Sequence, residues 1–148
     1  MNTSPRSPGR FCSIPGHGAA VLAFCILAFA PVAFASGGAQ FEQALRRAEK
    51  LLTEQKPAEA HVVLEGLREA HDTDPRIPFL LAQCDWNLWR ADRSRTTRLE
   101  SARAHIQSAL ELQKPFPVCS FVSGMLEMDA MDFEAAIRGF RQALAGGY

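Results

Sequence analysis

The sequence predicts an all-α protein of six helices, and three observations carry the prediction. From Phe41 onward apolar residues recur at intervals of three and four, the period of an amphipathic helix. No stretch of four or more residues alternates apolar with polar as a half-buried strand does. Small residues also return at fixed offsets along the chain, the mark of an internal repeat.

The first 35 of the 148 residues carry the three-part pattern of an export signal. Arg6 and Arg10 make a positive start with no acidic residue beside them. Ala19–Phe34 is almost wholly apolar, yet shorter than the roughly 20 residues a spanning helix needs. Ala33-Phe34-Ala35 puts small residues at the two positions a signal peptidase reads. Cleavage is therefore expected before Ser36, leaving a periplasmic or secreted chain, with an uncleaved membrane anchor as the alternative. Lipidation at Cys25 is disfavoured by the bulky Phe24 before it. Residues 36–40 then read as a short linker.

The helices follow in order. "FEQALRRAEKLL" puts Phe41, Leu45, Ala48 and Leu52 on one side, and "AEAHVVLEGLREA" does the same with Ala60, Val63, Leu64 and Leu67. Pro57 suits the first turn of the second helix, where its missing amide needs no partner. The same periodicity predicts helices near Pro78–Trp89, Leu99–Leu112, Pro117–Met128 and Asp132–Ala145.

Their spacing repeats. Ala136, Phe140 and Ala143 stand four and then three residues apart, and Ala102, Ile106 and Ala109 reproduce them 34 residues earlier. Ala60, Leu64 and Leu67 keep the same rhythm. The preceding helices carry Ala48, Ala82 and Gly124, the first two again 34 apart. Where two helices of a hairpin cross closely, a side chain larger than a methyl would push them apart. Ala48 should therefore meet Ala60, Ala82 should meet Ala102, and Gly124 should meet Ala136, while Leu64, Ile106 and Phe140 fill the space between hairpins. Eight extra residues separate Ala82 from Ala102, within the segment holding Arg90, Arg93, Arg95 and Arg98. They suggest either an anion-binding turn or a solvated loop.

A 34-residue period with Gly or Ala in the first helix and Ala, aromatic, Ala in the second resembles the tetratricopeptide repeat family. Residues 41–74, 75–116 (with the insertion) and 117–148 correspond to three repeats. The last matches best, through Gly124, Asp132, Ala136, Phe140 and Ala143; the first two are degenerate. The resemblance implies a helix-turn-helix solenoid whose first helices line a concave groove. By it the groove residues are Leu45, Leu52, Phe79, Gln83, Trp86, Phe121, Met125 and Met128, an apolar lining suited to a partner helix or an extended peptide. Glu49, Gln83 and Met125 stand where carboxylate-gripping members of the family carry Lys, Arg and Asn, so that activity is not implied. The function expected is an exported scaffold for another envelope protein. The alternative is a structural or self-associating segment, or the start of a longer solenoid.

Composition narrows the remaining classes. The whole chain balances 16 basic with 16 acidic residues, and removing Arg6 and Arg10 leaves a net charge of −2, with no clustered positive field for nucleic acid. No glycine-rich phosphate loop, metal-ligand cluster or nucleophile-and-base motif appears, so no enzymatic activity, cofactor, metal or small-molecule substrate is expected. Of four cysteines Cys84 and Cys119 remain after cleavage. Measured from Ala82 and Gly124 they differ by seven residues in height, roughly 10 Å at 1.5 Å per residue, too far for a disulfide.

Overall fold

Six α-helices, and no strand, make up the described residues, 33–148, of a computed structural model of the chain. They are α1 (Ala33–Thr53), α2 (Pro57–Arg68), α3 (Arg76–Ala91), α4 (Thr96–Leu112), α5 (Pro117–Asp129) and α6 (Phe133–Ala145). Residues Ala35–Tyr148 form one compact unit. The export signal lies outside the described residues but for its last three. Among the described residues no helix is long and apolar enough to cross a membrane. Residues 36–40 are not an extended linker: they are helical, because the periodic stripe that starts at Phe41 nucleates a helix that propagates backward through them.

Local chemistry fixes the helix ends. Pro57 and Pro117 occupy the first turns of α2 and α5, and the Asp132 side chain caps α6 by accepting from the Ala135 amide at 3.0 Å. α1 and α5 end in the same way. The Lys56 amide reaches back to the Leu51 carbonyl and Gln55 to Leu52; likewise Asp132 reaches Glu127 and Met131 reaches Met128. Each is a Schellman turn, with Gln55 (φ 60) and Met131 (φ 65) in the left-handed position. Both stand five residues before the small residue of the next helix, Ala60 or Ala136.

The eight extra residues of the central hairpin make no long loop. α3 and α4 have 16 and 17 residues against 13 each in α5 and α6, and their turn, Asp92–Arg95, is only one residue longer than Ala130–Asp132. The insertion is thus an added turn on each of two paired helices. It looked like a loop because of its charge, but those charges find partners within the fold.

Two apolar clusters share α3. Phe41, Leu45, Ala48 and Leu51 of α1 and Ala60 and Leu64 of α2 pack with Ile77, Leu80, Leu81 and Cys84. Ala82, on another side of α3, packs with Ala102, Ile106 and Ala109 of α4 and with Cys119 and Leu126 of α5. Phe79 touches both. Ala136, Ala143, Gly124 and Gly139 are buried between α5 and α6. A Cβ on Gly124 would fall 2.6 Å from the Phe140 ring, and one on Gly139 would fall 2.7 Å from the Gly124 nitrogen. Phe140 and Gly139 both approach Gly124 closely, contacts the repeat spacing did not single out when it paired Gly124 with Ala136.

Candidate functional site

Asp85 is a fully buried carboxylate on α3, between Cys84 of the first cluster and the half-buried Trp86 of the second. The Arg98 Nη1 donates to its Oδ1 at 2.6 Å, and the His61 Nε2 stands 3.5 Å from the same oxygen. The His105 Nε2 is 3.6 Å from Oδ2, which has no hydrogen-bond partner. One carboxylate thus gathers side chains from α2 and α4. Burial holds the His105 ring below the usual histidine range against the pull of Asp85, so the ring is neutral near pH 7. No group of three or more His, Cys, Asp or Glu among the described residues has the geometry to hold a metal ion. Burial, with the Asp85 charge beside it, pushes the Cys84 thiol up to about 12, and burial does the same to Cys119. Both are free thiols, and both stay protonated at physiological pH.

This cluster was not read from the sequence, where His61, His71 and His105 fall on or beside different helices. Its one signal was Asp85 itself, a charge four residues from Leu81 and four from Trp89, both of which are buried.

The added turns of the central hairpin account for the arginines. Arg95 pairs with Asp92 at 2.8 Å, and Arg98 with Asp85. Arg93 lies over the Trp89 ring and donates to the Asp129 carbonyl at 2.6 Å. Arg90 lies over Trp86 and pairs with Asp129 at 3.2 Å. The Trp86 Nε1 donates to the same carboxylate at 3.1 Å. Each of the four guanidinium groups has an acidic side chain or a carbonyl as its partner, so this segment joins helices instead of presenting a free cationic surface.

The expected groove residues separate into four places. Leu45, 2 % exposed, belongs to the core and lines nothing. Phe121 stacks on Tyr148 at 4.4 Å and tilts against Phe140 at 5.6 Å. Tyr148 covers it, because Gly147, at φ +90, turns the backbone back after α6. Trp86 is held by Asp129 and Arg90, with Met125 half-buried and Met128 41 % exposed on α5. Leu52, Phe79 and Gln83 alone meet at an open cleft between α1 and α3, a volume of about 430 Å³ completed by Glu49, Thr53, Leu80 and Asn87. Its lining mixes apolar Leu52, Phe79 and Leu80 with polar Glu49, Thr53, Gln83 and Asn87, more polar than the groove expected.

No protein-family model, curated protein or solved structure matches the chain.

Proposed function

We propose that the chain is an exported scaffold of the tetratricopeptide type, whose three helical hairpins stack as a solenoid and hold an extended segment of another envelope protein in the cleft between α1 and α3. The observation that carries the reading is the pair Gln83 and Asn87, one turn apart on α3. Neither amide makes a side-chain hydrogen bond to another described residue, while Leu52 and Phe79 lie beside them. Amides of this kind can donate to and accept from a peptide backbone, and the apolar side chains beside them take one side chain of an extended partner. The matching Schellman turns before Ala60 and Ala136 support the repeat reading.

A binding role is favoured over catalysis because both thiols are buried and held protonated, the one beside Asp85 included. The near balance of charge favours a protein partner over nucleic acid. The N-terminal signal pattern supports processing before Ser36 and a location outside the cytoplasm, which intact-mass analysis of the native protein checks: Met1 retained would overturn it.

The cleft is tested by placing a photo-crosslinking side chain at Thr53, on the same cleft, with Gln83 and Asn87 intact or substituted, and recovering adducts from an envelope extract. Gln83→Ala combined with Asn87→Ala should abolish capture while leaving the melting temperature unchanged. Equal capture by the wild type and the double variant would place the partner elsewhere.

A further inference from the structure

We propose that the outer face of α6 is a homodimer seam, in which two copies of the chain pair their last helices antiparallel about a two-fold axis. Phe133, Ile137 and Leu144 are 57 %, 50 % and 70 % exposed, with half-buried Phe140 completing the series. Their spacing is four, three, four, the rhythm of a coiled-coil seam. The helix already buries the flank beside this stripe, through Ala136, Gly139 and Ala143, so the stripe is a second apolar face on a helix whose fold has used the first.

The charges beside the stripe select the occupant. Glu134 and Arg141 stand seven residues apart, each immediately after an apolar seam residue, and so flank the seam on the same side. Neither makes an ion pair with another described residue. Antiparallel pairing sets Phe133 against Leu144 of the second copy and Ile137 against Phe140 of the second copy. It also sets Glu134 beside Arg141 of the second copy, and by symmetry the converse. A parallel arrangement would bring that flank against the other one, which carries Ala136 and Ala143 and is occupied by the chain's own α5. One strip of surface is thus complementary to itself only under a two-fold axis, the condition for an isologous interface. Because α6 is already folded and packed, pairing requires no helix formation, which lets a seam of only three turns associate. The inference does not depend on the α1–α3 cleft.

Sedimentation and light scattering of the full chain test it. The wild type should sediment at twice the 16.3 kDa of one chain. Ile137→Glu should weaken dimerisation by tenfold or more, with helicity and melting temperature kept because the residue is half exposed. Glu134→Arg alone and Arg141→Glu alone should each weaken self-association by about threefold or more, since each sets like charges across the axis. Mixing the two single variants should restore a dimer, because the charges then alternate. A wild type that is monomeric up to about 100 μM overturns the proposal. So does a dimer insensitive to Ile137→Glu, as association through the apolar N-terminal segment would be, or a pair of charge variants that fails to recover on mixing.

Discussion

Arg98 and Asp85 are joined by a 2.6 Å hydrogen bond that crosses from the first turn of α4 to the middle of α3. The carboxylate is fully buried while the guanidinium is partly open to water, so the two ends of the bond have different consequences when cut. Arg98→Ala leaves an uncompensated buried charge and should destabilise the fold toward the lower end of about 3 to 5 kcal/mol, water reaching part of the vacated space. Adding Asp85→Leu should recover most of the loss, because an apolar residue of similar volume needs no partner. Urea unfolding of the single and double variants checks this. A loss below about 0.5 kcal/mol for Arg98→Ala would mean that His61 and His105 already suffice.

Burial of His105, working against the same carboxylate, makes stability depend on pH. Its folded pKa lies below its unfolded value of about 6.5, so below that pH the unfolded chain binds the proton more readily and folding is disfavoured. The groups acting on the ring are Asp85 and Glu65, which favour its charged form, and Arg68 and His61, which oppose it. The contribution of the neutral ring is complete above about pH 6.5 and is lost as pH falls toward the lowered folded value. Between pH 7.5 and 5.5 the wild type should lose more stability than His105→Gln, measured by denaturant midpoints. Asp74, drawn below its usual range by its hydrogen bond from Arg76, loses its contribution only at more acid pH, outside this window. Equal pH slopes for the two proteins would remove His105 as the cause.

What the sequence revealed and what it hid follow from how far apart the interacting residues lie. Helix periodicity is local, so six helices and the small residues that seat them, from Ala48 to Ala143, are legible along the chain. Asp85 is not, because its partners His61, Arg98 and His105 come from two other helices, and no periodicity links a charge to partners on other helices. The arginine-rich insertion looked like a loop because four cations seemed to require solvent. Stacking on Trp86 and Trp89 and pairing with Asp85, Asp92 and Asp129 allow them to extend helices instead. The groove failed for a related reason. The repeat register says which side of a helix faces inward, but not that Tyr148 folds back over Phe121 or that Leu45 sinks into the core.

Gly139 should be less replaceable than Gly124, although only the latter belongs to the repeat pattern. A methyl at Gly139 would press on the backbone of α5, 2.7 Å from the Gly124 nitrogen and 2.9 Å from its Cα, where nothing can rotate away. A methyl at Gly124 meets the Phe140 ring, which is half-buried and can swing outward. Gly139→Ala should therefore cost near the top of about 1 to 3 kcal/mol, and Gly124→Ala less, offset in part by the better helix propensity of alanine. Phe140→Leu should soften the second change and leave the first untouched. Thermal melts of the four variants decide the order, and a Gly124→Ala more damaging than Gly139→Ala would place the contact on the wrong pair of residues.

The Schellman turns after α1 and α5 predict opposite effects of glycine at equivalent positions. Gln55 and Met131 adopt φ near +60, a conformation that costs a residue with a side chain roughly 1 to 2 kcal/mol and costs glycine no such strain. Glycine loses more entropy on folding, about 0.5 to 1 kcal/mol, so the net effect of Gln55→Gly or Met131→Gly should be a gain of a few tenths to about 1 kcal/mol. The corresponding position of the central hairpin, five residues before Ala102, is Thr97. The added turn makes it helical, so Thr97→Gly should destabilise by up to about 1 kcal/mol. Equilibrium unfolding of the three single variants gives the signs. Stabilisation at all three positions, or at none, would mean that the central hairpin turns as its neighbours do or that the left-handed residues carry no strain.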